Sequence, residues 1–285
     1  PRPRHRSFPI YVGRHMGSSQ RVRGYDVLRG FSVVSMVAFH ACYDIVYLWD
    51  VRLGWFRSPL QDVWRASISW CFLLIAGIMC SYSRNNLKRA IKYLVVAAII
   101  WIATTLIAVD TPISYGIIYC MGFSSFLVWA LNELFRKKRD ACAIEPNGLV
   151  SRPANGSKSI ELSFLATTLF LAFLLTLEAP QGRLGLGVVG GPYITLPKCL
   201  YTTEMLNWLG FPGPSFASGD YYPPIPYSLL FLVGSTLGLY MKHQGVPSIL
   251  NKIRCAPLEW IGRHALEIYV VHQPIVLALL TLVFS

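Results

Sequence analysis

Charge is what this sequence has least of. Asp, Glu, Lys and Arg make up 14% of its residues, against about 25% in a soluble domain, while 54% of the chain is hydrophobic and its mean hydropathy is +0.46. A soluble chain of 285 residues with so few charges could not cover its own surface. The scarcity is also uneven. Residues 66–83, 93–109, 111–132, 162–177, 221–241 and 268–285 contain no Asp, Glu, Lys or Arg at all. Each run is near the ~20 residues that a helix needs to span a hydrocarbon core. Lipid admits only helices or closed barrels, and the polar alternation of a barrel strand is missing here. A further apolar stretch, 27–49, carries Arg29, His40 and Asp44 inside it. The expected class is therefore all-α, a polytopic bundle of about seven transmembrane helices.

Other absences narrow the reading. Seven cysteines are too dispersed for an external disulfide framework. Cys42, Cys71, Cys80 and Cys120 fall within spans, Cys142 and Cys255 fall on the reducing side, and Cys199 stands alone outside. No cleavable signal peptide is visible, since the first apolar stretch is too long and lacks a small-residue cleavage site. No internal repeat and no inverted pair of halves stands out, which weakens a transporter reading. No metal is expected.

What charge there is reports topology. The formal net charge is +12, but all of the Lys and Arg residues except Arg52, Arg57, Arg65, Arg183 and Lys198 lie in 1–29, 84–92, 136–158 and 242–263. Seven spans with a cytoplasmic N-terminus put those four segments inside, as the positive-inside rule demands. No nucleic-acid partner follows. Residues 1–22 read as a flexible basic tail, 136–159 as a polar, disordered inner loop, and 179–222 as the one long outer excursion. Gly, Pro and aromatic residues dominate that excursion, which suggests a lid or wall for an external substrate, with a short interfacial helix over Leu196–Leu209.

Ionisable groups deep in lipid are costly and are candidates for function. His40 lies ~16 Å beyond Arg29 along a helix and His272 ~14 Å beyond Arg263, at 1.5 Å per residue, so the first and last spans carry imidazoles to similar depth. Asp44 follows one turn after His40 on the same face and could hold its Nδ1–H, the arrangement of a buried general base. The plainer readings are an interhelical hydrogen bond for either histidine and an ion pair with an outer arginine such as Arg52 for Asp44. On the inner face Arg29, Arg84, Lys88 and Arg89 gather where the first three spans meet the cytosol. They suit the phosphates of a nucleotide-bearing donor or, more plainly, anionic lipid headgroups. Asp26 is placed to cap the first span and to pair with Arg29 at i+3.

Four segments carry a family resemblance. Arg23-Gly24-Tyr25-Asp26-Val27-Leu28-Arg29-Gly30, running on to Met36-Val37-Ala38-Phe39-His40, is the first. Phe72-Leu73-Leu74-Ile75-Ala76-Gly77 is the second, and Ser218-Gly219-Asp220-Tyr221-Tyr222-Pro223-Pro224-Ile225-Pro226 the third. The last runs from Ile261-Gly262-Arg263-His264 through Ile268-Tyr269-Val270-Val271-His272-Gln273-Pro274. In this order they resemble the heparan-alpha-glucosaminide N-acetyltransferase-like membrane family, in its prokaryotic branch. The spacing of Arg29 and His40 is similar to that of the wider transmembrane acyltransferases that O-acylate surface glycans.

The resemblance implies one transmembrane acyltransferase-like domain over 23–285. Acetyl-CoA or another acyl-CoA would enter from the cytosol and meet an extracytoplasmic sugar or glycan acceptor at a midmembrane histidine. It implies His40 as the catalytic histidine and Arg29 as a donor-site residue. The reading of the residues themselves adds Asp44 and His272 as catalytic partners, Arg84, Lys88 and Arg89 for the donor, and Asp220 and Tyr221 for the acceptor at the outer mouth. The animal lysosomal enzymes place their proposed catalytic histidine in the outer loop after the first span. Loop 50–64 contains none, which leaves His40 as the candidate and both N- and O-transfer open. The expected location is the cell (inner or plasma) membrane, where a homodimer is compatible with the sequence. The rival readings are a proton-coupled transporter or lipid-handling protein that uses the same midplane groups as a proton relay, and a non-catalytic scaffold.

Overall fold

The computed structural model describes residues 22–107, 111–142, 155–187 and 190–284, without the side chains of 137–142 and 155–157. The basic tail read from the sequence, Val22 excepted, lies outside the described residues. In chain order the elements are α1 (Arg23–Tyr47), α2 (Leu60–Tyr82), α3 (Asn86–Leu106), α4 (Ile117–Cys142), α5 (Asn155–Thr176), β1 (Arg183–Gly185), β2 (Tyr193–Thr195), α6 (Pro224–Gln244), α7 (Ser248–Lys252), α8 (Ala256–Arg263) and α9 (Ala265–Phe284). Among the described residues seven helices, α1 to α6 and α9, are long and apolar enough to cross a membrane. The chain is an all-α polytopic bundle.

Packing between the spans follows the logic of helices in lipid, where small residues let backbones approach closely. A Cβ on Gly77 of α2 would land on the Phe231 carbonyl of α6, and one on Gly234 would land on the Leu74 carbonyl of α2. Around this contact Leu73, Leu230, Phe231 and, from α5, Phe173 are fully buried. Ser124 of α4 donates to Ser228 of α6 at 2.8 Å, a buried hydrogen bond that joins the two spans. By contrast α3 buries only Ala90, as a span that faces lipid around most of its circumference does.

The basic, inner side holds what composition did not announce. The short α8 lies across the start of α1, so that a Cβ on Gly30 would meet the Leu258 carbonyl and one on Gly262 would meet the Asp26 carbonyl. The first and last sequence segments quoted above therefore meet in space. The inner loop expected over 136–159 is shorter than read, because α4 runs on to Cys142 and α5 begins at Asn155. Arg136, Lys137, Lys138 and Arg139 are good helix formers, so the helix outlasts its apolar part. Residues 143–154 lie outside the described residues.

On the outer side the excursion after α5 is built rather than loose. It begins with a 3-10 turn at Ala179–Gln181, followed by the β1–β2 hairpin, where Leu184 pairs with Ile194. The single helix expected over Leu196–Leu209 is replaced by two 3-10 turns, Lys198–Tyr201 and Glu204–Leu206. The β-branched pair Thr202-Thr203 separates them. Glu204 is spent on the loop itself, accepting from Asn207 Nδ2 at 2.6 Å and from the Ser215 amide at 3.0 Å.

Candidate functional site

The two histidines read from opposite ends of the chain come together. The ring centroids of His40 on α1 and His272 on α9 are 4.9 Å apart, with the ring planes at 60°. Helical periodicity explains why the contact extends along the seam. Residues 40 and 44 share a face of α1, and one turn beyond the ring pair Asp44 meets Gln273, the neighbour of His272. Gln273 Nε2 donates to the two Asp44 carboxylate oxygens at 2.9 and 3.2 Å. Asp44 is 3% exposed and His272 8% exposed, while His40 is half-buried.

This arrangement corrects the expected role of Asp44. Its carboxylate takes Gln273 and neither the His40 ring nor Arg52. The histidine whose tautomer is fixed is His272. Its Nδ1 lies 2.6 Å from the Tyr269 carbonyl oxygen, which can only accept, so Nδ1 carries the proton. Nε2 is then a bare lone pair, buried and without a hydrogen-bond partner among the described residues. His40 has Phe39 edge-on at 5.8 Å and the His272 ring as its other aromatic neighbour.

Behind His272 a chain of contacts reaches the outer surface. Tyr269 donates its hydroxyl to Asp220 Oδ2 at 3.1 Å, and the same oxygen accepts from the Ile117 amide at 3.1 Å. Asp220 is thus the cap at the start of α4, supplied from a distant part of the chain, and a clamp on α9. The residue anticipated from the sequence as an acceptor ligand at the outer mouth thus holds two structural hydrogen bonds through Oδ2. Burial pushes its carboxyl up from the ordinary carboxylate range, and the two hydrogen bonds and the Arg65 charge recover part of that shift. Tyr221 is likewise engaged. Its hydroxyl donates to the Asn207 carbonyl at 2.7 Å and its ring lies 4.9 Å from Phe216, while burial and the neighbouring Tyr115, Tyr201 and Tyr119 hold its ionisation well above the usual phenol range.

The four inner basic residues do not converge on one point. Arg29 pairs with Asp26 at 3.4 Å, as expected, and also donates to the Gly262 carbonyl at 3.1 Å, which ties α1 to α8. Asp26 itself sits in the first turn of α1 and is not its N-cap. Arg89 turns inward, donating through Nη2 to the Ala76 carbonyl of α2 at 3.2 Å, with its guanidinium 5.5 Å from the Tyr93 ring. Arg84 and Lys88 are exposed. Sequence reasoning missed Lys242, which donates to the Ser81 carbonyl and lies 5.0 Å from the Tyr82 ring centroid. On this inner side Arg89 Nε, Asn86 Oδ1 and the Tyr82 hydroxyl are buried without hydrogen-bond partners among the described residues. Gln273 and Tyr269 were missed as site residues too. Both stand in the quoted last segment, but a search for charges in lipid passes over an amide and a phenol.

Fold and site together define a multi-pass membrane protein with a buried polar seam between its first and last spans. The family model for heparan-alpha-glucosaminide N-acetyltransferase, catalytic, matches residues 21–143 and 160–274, and the chain belongs to that family of membrane acetyltransferases. No curated protein and no solved structure matches it.

Proposed function

We propose that the protein transfers an acetyl or other short acyl group from cytosolic acyl-CoA to a hydroxyl or amine of an extracytoplasmic sugar or glycan, with the His40–His272 pair as its acid–base element. The membrane it occupies would be the cell's inner or plasma membrane. The observation that carries this reading is the meeting of two imidazoles inside the apolar bundle, one of which presents a buried, bare nitrogen.

In the proposed step the acceptor O–H or N–H gives its proton to His40, the half-buried and more accessible ring. The freed electron pair attacks the thioester carbonyl carbon, the C–S bond breaks, and the departing thiolate takes the proton back as free CoA-SH. The His272 Nε2 lone pair, fixed by the Tyr269 carbonyl, stabilises the imidazolium that forms between the two transfers. On the inner side Arg89, Lys242, Asn86 and Tyr82 offer the donor a guanidinium, an ammonium and unsatisfied polar atoms, with exposed Arg84 and Lys88 at the rim.

The test is acetyl transfer by the detergent-purified chain. Acetyl-CoA raises the melting temperature of the wild type by mass action. His40→Ala keeps that stabilisation and loses at least about 100-fold in rate, the usual contribution of a general base. A folded His40→Ala protein with full activity would remove the reading. Uptake of solute coupled to pH, with no stabilisation by acetyl-CoA, would favour the proton-relay alternative.

A further inference from the structure

We propose that Gln273 is a substrate-binding residue of this site, its amide oxygen the second hydrogen-bond acceptor offered to the incoming nucleophile, and that Asp44 is a positioning residue acting through Gln273. The inference rests on the acyl-transfer reading above.

The chemistry of the partners fixes the orientation. An ionised carboxylate can only accept hydrogen bonds, so the Gln273 group 2.9 and 3.2 Å from its two oxygens is the amide nitrogen. The amide oxygen must then face away from Asp44. That oxygen is buried and has no hydrogen-bond partner among the described residues. One residue earlier, His272 is fixed by the same logic, its Nδ1–H on a carbonyl and its Nε2 bare. Adjacent positions of α9 thus present two lone pairs inside an apolar bundle, each held by a group that can only accept. Buried polar atoms are ordinarily paired, and two neighbouring acceptors are complementary to a ligand group that brings hydrogens. The acceptor substrate qualifies: its reacting O–H or N–H goes to His40, which His272 Nε2 backs, and a neighbouring O–H or N–H goes to Gln273. The pantetheine arm of the donor also carries amide N–H groups, so stabilisation by acetyl-CoA is the readout that tells donor from acceptor at this contact.

The experiment uses the full-length chain in detergent with acetyl-CoA as donor and glucosamine as the probe acceptor. Gln273→Leu raises the KM for glucosamine at least tenfold, leaves kcat within about threefold, and leaves stabilisation by acetyl-CoA unchanged. Asp44→Asn gives the same split with an unshifted pH profile of kcat, because the histidines keep their own partners. The exchanged pair Asp44→Asn/Gln273→Glu returns an acceptor oxygen to the site, held from the other side by an amide, and recovers both melting temperature and KM relative to Gln273→Glu alone. An unchanged glucosamine KM in Gln273→Leu overturns the proposal by itself, as does an Asp44→Asn protein that loses kcat and shifts its pH profile. A folded wild type that neither binds acetyl-CoA nor acetylates the probe removes the acyl-transfer reading, and this proposal with it.

Discussion

At the scale of single residues, the site is specified by groups that can only accept hydrogen bonds. The Tyr269 carbonyl settles the tautomer of His272 and the Asp44 carboxylate settles the face of the Gln273 amide. Tyr269 is a hinge of this system, since its backbone orients the histidine while its hydroxyl is held by Asp220. Tyr269→Phe removes a hydrogen bond to an ionisable partner, worth about 1.5–3 kcal/mol when that partner is charged. A lower melting temperature and a reduced kcat are the expected results. Asp220 gives a pH signature. Its folded-state ionisation lies above that of the unfolded chain, so its ionisation opposes folding. The stability is fully present below the ordinary carboxylate value of about 3.9 and falls as pH rises through the folded value. The melting temperature of Asp220→Asn minus that of the wild type therefore grows more positive as pH rises from about 3.9 toward the raised folded-state value. A flat difference would show that burial does not disfavour this carboxylate.

At the scale of elements, the apolar runs located the spans because twenty residues without charge have no other stable home. The first three spans end within three residues of the ends of their apolar runs, while α2 and α3 begin six and seven residues before theirs. What composition could not disclose is α8, which is short, amphipathic and charged at its end, and which lies along α1 instead of crossing the bilayer. Its place is written in Gly30 and Gly262, and those glycines become informative only when the two segments are known to touch. The same limit hid the partner of Asp44. Helical spacing put the carboxylate on the face of His40, but a contact between first and last spans has no trace in local periodicity. Gly30→Leu tests the α1–α8 contact. With a Cβ on the Leu258 carbonyl, overpacking costs about 1–3 kcal/mol, read as a lowered melting temperature in detergent. Gly54→Leu, where nothing lies within 4 Å of the added carbon, stays within about 0.5 kcal/mol of the wild type.

At the scale of the whole molecule, the asymmetry of Lys and Arg orients the bundle, and under the proposed function the orientation decides from which side each substrate would approach the histidines. Two unbonded thiols report it. Cys199 is exposed in the outer excursion, and Cys255 precedes α8 on the basic side. A membrane-impermeant maleimide applied to intact cells labels Cys199 and spares Cys255 until the membrane is opened. The reverse pattern would invert the topology and require the donor to arrive from the other compartment.

The seam between α1 and α9 also sets a condition on biosynthesis. Asp44 and Gln273 are 229 positions apart, which at 5–20 residues per second is roughly 10 to 50 s of translation. Throughout that interval the α9 groups that His40 and Asp44 meet in the finished bundle have not yet been made. The polar groups that equip the finished bundle are, in the nascent chain, marks of incompleteness. A ribosome that stalls before the last helix leaves a product whose first helix still carries them unmatched, open to recognition by the quality-control machinery of the membrane.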